Sequence, residues 1–310
     1  MKSTQSNIKK AKKYLDNDEC IAVPSETVYG LAGNAYSNSS IKKIFKLKKR
    51  PKKNPLIVHY LSLKMLKIDC KVNSFFYKLY KKLCPGPITF ILELKKNSKI
   101  SENVTNKKKT LAVRFPKNSI TKKLLKNLNY PLAAPSANVS TKISPVSKED
   151  VKDEFGKKIK FILDGGRSKI GLESTIVSLI NKPEILRLGG TEVKKIKKII
   201  GFNIKYNNKK KKIASPGQEK VHYSPGIPIR LNVIDAQKDE AFLLIKKRKL
   251  SDKNFFYLSK NKNLKNAAKN LYKTLRMIKK RKFESIAVEK IPNKGFGEVI
   301  NDRLFRASKF

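Results

Sequence analysis

The chain has 310 residues, 39% of them hydrophobic with 15 Phe and 11 Tyr, which is enough for a folded core and excludes global disorder. Its formal net charge of +48 comes from 72 basic and 24 acidic residues, and since ten of the basic residues are Arg, 62 are Lys (72 − 10). Lysine spread over every segment indicates a bias in composition, so the charge permits binding of a polyanion such as RNA without demonstrating it.

Cysteine, histidine and apolar residues limit the location and the chemistry. Cys20, Cys70 and Cys84 show no C-x-x-C spacing, which predicts a reducing compartment without a disulfide framework or a zinc site. The two histidines, His59 and His222, are too few for a multi-histidine centre, and no metal site is predicted. No apolar run approaches the ~20 residues of a membrane span, so we expect a soluble, cytoplasmic protein without membrane contact.

Residues 1–205 are predicted to form one α/β domain. An amphipathic helix within residues 1–18 presents Ile8, Ala11 and Leu15 on one face. Strands and helices then mix without the strict alternation of a doubly wound sheet, which favours a mixed sheet. Further helices are predicted after the N-cap candidates at 38–40 and over 75–83, 120–128, 147–155 and 191–200. The predicted strands are 20–23, 56–61, 88–94, 111–115, 131–135, 160–163, 174–180 and 184–188.

A second, smaller α/β unit is predicted over residues 229–310. It follows a stretch at 206–228 that contains a run of four lysines and a turn-rich Ser-Pro-Gly segment, which we interpret as a linker. Leu264, Leu271 and Ile278 mark one face of a long helix, and a final helix follows Gly295. The predicted strands of this unit are 229–234, 255–258 and 285–288.

The familiar signatures of nucleotide and hydrolase sites do not occur in the sequence. It has no G-x-x-x-x-G-K-[ST] loop, no G-x-G-x-x-G turn and no G-x-S-x-G elbow. No paired-carboxylate cluster stands out as a magnesium or acid–base site. A phosphate bound by this chain would therefore be held by side-chain cations and hydroxyls.

The basic turn, residues 48–55, joins a short amphipathic segment to an apolar strand. Pro51 and Pro55 fix their own φ angles and push the preceding residues away from helix, which makes the turn rigid. A rigid cationic turn before a buried strand is suited to hold an anion. On charge alone, a solvated surface turn is the more common interpretation in a chain so rich in lysine.

Arginine is scarce, so its placement is informative. Arg114 and Arg187 fall in or beside apolar strands, where an unpaired charge would be very costly and a carboxylate or phosphate partner is required. For Arg114 and for Arg187, a structural salt bridge accounts for the position about as well as a ligand-binding role does. His59 on a strand is more often a core histidine, and Ser136 and Asn138 are equally compatible with capping a turn.

The polar clusters also form a series of motifs in chain order. Those of the first half are Pro24-Ser25-Glu26-Thr27-x-Tyr29-Gly30-Leu31, Lys48-x-Arg50-Pro51-x-x-Asn54-Pro55-Leu56, Cys84-Pro85-Gly86-Pro87-x-Thr89, Ala112-Val113-Arg114-x-Pro116, Pro135-Ser136-Ala137-Asn138-x-Ser140, Glu173-Ser174-Thr175-Ile176-Val177 and Leu186-Arg187-x-Gly189. Later in the chain come Ser215-Pro216-Gly217, His222-Tyr223-x-Pro225, Gly295-x-Gly297 and Asn301-Asp302-Arg303-Leu304-x-Arg306-Ala307. The series closely resembles the YrdC family of threonylcarbamoyl-AMP synthases, in the longer form with an additional C-terminal domain.

The resemblance implies a reaction in which L-threonine, bicarbonate and ATP give threonylcarbamoyl-AMP and pyrophosphate. The product carries the group that partner proteins place on the adenosine beside the anticodon of certain tRNAs. Threonylcarbamoyl transferase proteins are thus implied partners, tRNA or double-stranded RNA is an implied ligand, and Mg²⁺ is expected to arrive with ATP. The implied fold is a twisted mixed α/β sheet with a basic concave face, followed by a smaller Rossmann-like α/β domain.

The resemblance also implies roles for individual residues. Lys48 and Arg50 are the implied catalytic residues, which would grip the triphosphate with Ser136 and Asn138 through charge-assisted hydrogen bonds of about 1.5–3 kcal/mol each. The other implied ATP contacts are Asn54, Thr110, Ser144, Arg187 and Tyr223. The implied threonine pocket consists of Thr27, His59, Arg114, Ala134 and Ser174.

Two departures from the family pattern occur. Lys49 stands where the family commonly has glycine, and lysine would be strained if the turn requires a positive φ there. The residues at 218–221 are mostly polar, whereas the family often has apolar or aromatic residues before its His-Tyr pair.

Two other functions remain open at this point. One is a non-catalytic RNA-binding maturation factor that uses the same basic cavity. The other, carbamoyl transfer in hydrogenase maturation, is less favoured because the acylphosphatase and zinc-finger modules of those larger proteins do not occur in these residues.

Overall fold

The computed structural model describes residues 4–206, 222–248 and 252–309. The four-lysine run, the Ser-Pro-Gly segment and the polar residues at 218–221 lie outside the described residues. The linker over 206–228 and the domain boundaries beside it therefore stay predictions.

Residues 4–206 build a first, mixed sheet. Its strands are β1 (Ile21–Val23), β2 (Gly30–Asn34), β3 (Ile57–His59), β4 (Ile88–Glu93), β5 (Thr110–Arg114), β6 (Leu132–Ala133), β7 (Thr175–Ser178) and β8 (Glu184–Arg187). Their order is β1-β2-β6-β3-β5-β4-β7-β8. The pairs β3–β5 and β4–β7 are parallel and the other neighbours are antiparallel, so the predicted mixed sheet is confirmed.

Helices pack against both faces of this sheet. They are α1 (Gln5–Asp16), α2 (Asn38–Lys48), α3 (Leu63–Asp69), α4 (Ser74–Leu83), α5 (Glu102–Thr105), α6 (Ser119–Lys126), α7 (Lys148–Phe155) and α8 (Val193–Ile200). The predicted apolar face of α1 is buried, because Ile8, Ala11 and Leu15 share one core cluster with Leu124 and Leu125 of α6. Full burial of a leucine contributes about 2 kcal/mol, so this contact fixes the N-terminal helix on the sheet.

The sequence-based prediction was wrong at several places in this half. The strand predicted at 160–163 is reduced to one bridge between Ile162 and Ala22. Helices α3 and α5 were not predicted, and α2 is capped by Ser37 rather than by residues 38–40. Strand β2 was missed because its glycines hide the strand pattern. Gly33 is needed there, since a Cβ would lie 2.3 Å from Ser40 Oγ of α2.

The second sheet is smaller and entirely parallel. Its strands are β9 (Ile229–Leu231), β10 (Glu240–Lys246), β11 (Phe255–Ser259) and β12 (Ser285–Val288), in the order β11-β10-β12-β9, with helices α9 (Leu264–Lys280) and α10 (Phe296–Ala307). The predicted second α/β unit is confirmed. Its central strand β10 was missed, although an uninterrupted apolar run is typical of a parallel strand buried on both faces.

The basic turn begins at a left-handed residue. Lys49 ends α2 with φ 48° and ψ 42°, and the next N–H, that of Arg50, donates to the carbonyl of Phe45. This is the hydrogen bond of a Schellman motif, and it aims the chain so that Arg50 returns towards the sheet. The left-handed region costs a non-glycine residue about 1–2 kcal/mol. Lys49 is therefore strained where the family commonly has glycine.

Replacing Lys49 with glycine is expected to stabilise the fold. Lys49→Gly should raise the free energy of unfolding by about 0.5–1 kcal/mol, because relief of the left-handed strain exceeds the extra chain entropy of glycine. Urea denaturation of the full chain measures the change. The control is Lys52→Gly, since Lys52 is exposed in the same turn and does not have a positive φ. An equal gain in both variants would contradict the strain at Lys49.

Candidate active site

One cavity at an edge of the first sheet collects most of the residues that the resemblance singles out. His59 and Arg114, at the ends of β3 and β5, pair directly there, and Arg187 ends β8 beside β7. The loop after β1, the turn after β6 and His222-Tyr223 complete the wall. The predicted site residues that line the cavity are Thr27, Arg50, His59, Arg114, Ala134, Ser136, Ser174, Arg187 and Tyr223.

Arg114 is fixed at the cavity wall by a buried carboxylate. Its Nη2 donates to Glu26 Oε1 at 2.7 Å, and Glu26 Oε2 accepts the backbone N–H groups of Lys117 and Asn118. Burial raises the pKa of Glu26, but Arg114 outweighs that effect and the pKa is lowered. The structural salt bridge, which was one of the two interpretations of Arg114 from sequence, is present. It leaves Arg114 Nε buried and without a hydrogen-bond partner in the described part of the chain.

His59 is buried in its neutral form. Burial lowers the pKa of His59 well below its ordinary value, and Arg114 on the next strand lowers it further. Its Nδ1 is buried and makes no hydrogen bond to any residue that the structure describes. The interpretation of His59 as a core histidine satisfied by its neighbours is therefore not supported at Nδ1.

Thr27 and Ser174 bring their hydroxyl groups to the same cavity. Ser25 Oγ donates to the carbonyl of Val28 at 2.6 Å, so the 2.8 Å contact between Thr27 and Ser25 has Thr27 Oγ1 as its donor. Ser174 Oγ lies 2.7 Å from Thr89 Oγ1 and accepts a hydrogen bond from Arg187 Nη2 at 3.1 Å. Both hydroxyls are thus held in fixed orientations.

Backbone carbonyls hold the other two cavity arginines. Arg50 donates from Nε to the carbonyl of Asn54 and from Nη2 to that of Pro55, each at 3.1 Å. Arg187 donates from Nε and Nη2 to the carbonyl of Ser174, at 3.0 and 2.9 Å. The basic turn therefore folds around its own arginine, and only Arg50 of its cationic residues lines the cavity.

Lys48 and Asn138 lie behind the cavity wall rather than in it. Lys48 is 1% exposed, and its Nζ donates to the carbonyls of Ser136 and Asn138 at 2.5 Å each. The Asn138 amide donates to the carbonyls of Val139 and Lys142, at 2.7 and 2.9 Å. In this structure the two side chains shape the loop that presents Ser136.

The remaining predicted ATP residues occupy other positions. Asn54 is buried within the basic turn. Thr110 starts β5, at the end of the sheet where the basic turn enters β3 and away from Arg114. Ser144 donates to Glu173 Oε1 at 2.6 Å. None of the three lines the cavity.

Tyr223 closes one side of the cavity. It has a φ of 66°, its ring stacks on Tyr272 with centroids 5.9 Å apart, and the Arg303 guanidinium lies 4.6 Å from the ring centre. Its N–H donates to His222 Nδ1 at 2.8 Å, and burial lowers the pKa of His222 well below its ordinary value, so His222 is neutral with its proton on Nε2. The phenol oxygen of Tyr223 is buried and finds no hydrogen-bond partner among the described residues.

Glu173 is a central residue that the sequence analysis did not place in the site. Its carboxylate accepts hydrogen bonds from Ser144, from Tyr272 at 2.9 and 3.0 Å, and from Arg303 Nε at 3.0 Å. Burial raises the pKa of Glu173, but Arg303 and then Arg187 outweigh it and lower the pKa to about 2. The signal was its position directly before Ser174. Its partners lie too far along the chain to be read from sequence.

The described residues contain no group of three or more His, Cys, Asp or Glu side chains arranged to hold a metal ion. Glu173 is the carboxylate that lines the cavity, and Ser144, Tyr272 and Arg303 engage its oxygens. The site thus offers no carboxylate cage for Mg²⁺ in the part of the chain described here. No described helix is long and apolar enough to cross a membrane.

The fold and the cavity define an α/β protein whose sheet edge presents three arginines and two oriented hydroxyls to one pocket. A family model described as "Telomere recombination", for Sua5, YciO and YrdC, matches residues 13–189. A second model, described as the C-terminal domain of threonylcarbamoyl-AMP synthase, matches residues 191–309. The chain belongs to the threonylcarbamoyl-AMP synthase family, in the form that carries the additional C-terminal domain.

Individual relatives match over nearly the whole chain. The threonylcarbamoyl-AMP synthase of Pyrococcus abyssi is 33% identical over 98% of this chain and 94% of its own. The Bacillus subtilis synthase is 31% identical over 99% of this chain and 94% of its own. The crystal structure of P. abyssi Sua5 complexed with L-threonine superposes with a TM-score of 0.89 at 31% identity, covering 97% of this chain and 94% of that one.

Proposed function

We propose that this protein converts L-threonine, bicarbonate and ATP into threonylcarbamoyl-AMP, pyrophosphate and water. The observation that carries the proposal is that Arg50, Arg114 and Arg187 line a single cavity, although the chain has few arginines. An amino-acid carboxylate and a triphosphate both require such cations, because guanidinium groups bind them with matched, charge-assisted hydrogen bonds.

Threonine occupies the part of the cavity at the ends of β3 and β5. Its carboxylate binds Arg114, which Glu26 holds in place. Thr27, Ser174 and the neutral His59 form hydrogen bonds with the polar groups of threonine. Ala134 forms an apolar wall of this pocket. The P. abyssi relative is described as complexed with L-threonine, which supports threonine as the amino acid. A site built around a hydroxyl rejects analogues that lack it by large factors.

ATP occupies the part of the cavity between Arg50, Ser136, Arg187 and Tyr223. Arg50 and Ser136 contact the triphosphate. Lys48 and Asn138 hold the Ser136 loop, as their hydrogen bonds to its carbonyls support. Asn54 shapes the basic turn around Arg50, Ser144 acts through Glu173, and Thr110 extends the nucleotide region beyond the cavity. Mg²⁺ enters as part of the MgATP substrate, since the described residues provide no cage of their own.

The chemistry needs little acid–base help from the protein. The threonine amine and bicarbonate condense to a carbamate with loss of water. A carbamate oxygen then attacks the α-phosphorus of ATP in line, the bond to the β-phosphate oxygen breaks, and pyrophosphate leaves. The cavity contributes by holding the reactants in this geometry and by neutralising charge, which are the main sources of rate enhancement in such transfers. Threonylcarbamoyl transferase proteins receive the product and pass its acyl group to tRNA.

The test is the substrate requirement of pyrophosphate release by the purified full chain. We expect release only when threonine, bicarbonate and ATP are all present, and the omission of any one should reduce it to background. Serine in place of threonine tests the amino-acid pocket. No release with all three substrates present would overturn the proposal. Binding of tRNA without any turnover would favour the RNA-binding maturation factor instead.

A further inference from the structure

Arg303 of the second sheet unit contacts Glu173, a residue that lines the cavity. Arg303 lies on α10 and is 1% exposed. Its Nε donates to Glu173 Oε2 at 3.0 Å, its Nη2 to the carbonyl of Leu188 at 2.7 Å, and its Nη1 pairs with Asp302 of the same helix. Arg303 thus contacts Glu173, two positions before β7, and Leu188, directly after β8. These two segments also carry Ser174 and Arg187.

Tyr272 of α9 makes the same connection from a second helix. Its hydroxyl donates to the Glu173 carboxylate, and its ring stacks on Tyr223, which lies under the Arg303 guanidinium. Glu173 is buried, lines the cavity and is adjacent to Ser174. Two side chains of the second unit therefore hold one cavity carboxylate and the ring that closes the cavity.

We propose that Arg303, supported by Tyr272, is a positioning residue that neutralises and orients Glu173 so that the cavity accepts ATP. This role rests on the proposed function. A buried carboxylate without its cation would repel a triphosphate across a wall that contains Arg187 and Arg50, and removal of one partner of a buried ion pair is strongly unfavourable. The second unit is then a part of the ATP site rather than an attached module.

The geometry favours positioning over simple attachment. Exposed contacts elsewhere also join the second unit to the first. One example is the ion pair between Lys280 and Asp153, which lies away from the cavity. The contact at Glu173 is instead fully buried and directed at the residue next to Ser174. The backbone of Glu173 is closely packed as well, since a Cβ on Gly189 would lie 2.4 Å from the Glu173 carbonyl oxygen.

The experiment compares charge and packing at Arg303 in the full chain. Binding of α,β-methylene-ATP by calorimetry and the KM for ATP in pyrophosphate release are measured for Arg303→Met, Arg303→Lys, Glu173→Gln and the Arg303→Met/Glu173→Gln double variant. Lys280→Met is the matched control, and thermal unfolding confirms that each variant is folded.

The expected results separate the effect of charge from that of structure. Arg303→Met should weaken ATP binding at least tenfold with a smaller effect on the KM for threonine, whereas Arg303→Lys should stay within about threefold of the parent. Glu173→Gln removes the repelling charge and keeps the shape of the side chain, so it should stay within about threefold of the parent in ATP binding, and the double variant should recover most of the loss. Lys280→Met should bind ATP as the parent does.

Three outcomes would overturn the inference. They are unchanged ATP binding in folded Arg303→Met, no recovery in a folded double variant, and an equal loss in Arg303→Lys. If Arg303→Met does not fold, the test rests on Arg303→Lys and Glu173→Gln. A tenfold loss of ATP affinity in either variant would contradict the charge argument. A parent chain that binds the analogue but releases no pyrophosphate would refute the proposed function alone, because the binding comparison does not depend on turnover.

Discussion

Arg114→Met is expected to raise the KM for L-threonine by about 100-fold or more. Two charge-assisted hydrogen bonds to a carboxylate contribute about 1.5–3 kcal/mol each, and methionine makes neither. The variant should also lose about 3–5 kcal/mol of stability, because Glu26 would remain buried without its cation. Pyrophosphate release at varied threonine concentration and urea denaturation measure the two effects.

The two effects of Arg114 can be separated with its partner. The double variant Glu26→Gln/Arg114→Met should regain part of the stability, since no buried charge remains unpaired, yet it should not regain threonine affinity. Lys117→Met is the control, because the exposed Lys117 side chain lies next to the same salt bridge and only its backbone contacts Glu26. Near-normal threonine KM in Arg114→Met would mean that the arginine serves only the salt bridge.

Arg50→Met is expected to reduce kcat/KM for ATP by about 10²–10³-fold. A preorganised cation that meets charge developing in the transition state contributes on the order of 3–4 kcal/mol. Arg50 is preorganised by the carbonyls of Asn54 and Pro55, so little reorientation is needed when the triphosphate binds. Pyrophosphate release at varied ATP concentration measures the loss. Lys53→Met, exposed in the same turn, should stay within about twofold of the parent.

Binding of tRNA by the Arg50 variant distinguishes the two functions that the basic cavity permits. Unchanged tRNA affinity together with lost turnover favours the enzyme. Lost tRNA affinity together with intact ATP binding favours the RNA-binding maturation factor, and the proposed role of Arg50 at the triphosphate would then be wrong.

Local pattern was sufficient where a segment carries its own signal. The face of α1 with Ile8, Ala11 and Leu15 was predicted from helical spacing, and it is buried. The pattern failed at β2, where Gly33 packs closely against α2 and the two glycines leave no strand-like alternation. Strand β10 was missed as well. Its apolar run has neither the alternation of an amphipathic strand nor the turn residues that mark a hairpin.

The site shows the same division. Arg50, Arg114 and Arg187 could be selected from sequence because arginine is scarce and the motifs stand in order, and all three line one cavity. Lys48 belongs to the same motif as Arg50, and the motif does not show that its side chain lies outside the cavity. Only the packing of α2 shows that its Nζ is directed to two loop carbonyls.

The sequence by itself determined the fold class, the second α/β unit, the family resemblance and most, but not all, of the residues that line one cavity. These depend on residue type, spacing and strand ends, all of which are local. The tertiary structure decided that Glu26 fixes Arg114, that Lys49 is left-handed and that Arg303 binds Glu173. The last contact joins residues 130 positions apart, and such a pair exists only because α10 of the second unit packs against the segments beside β7 and β8.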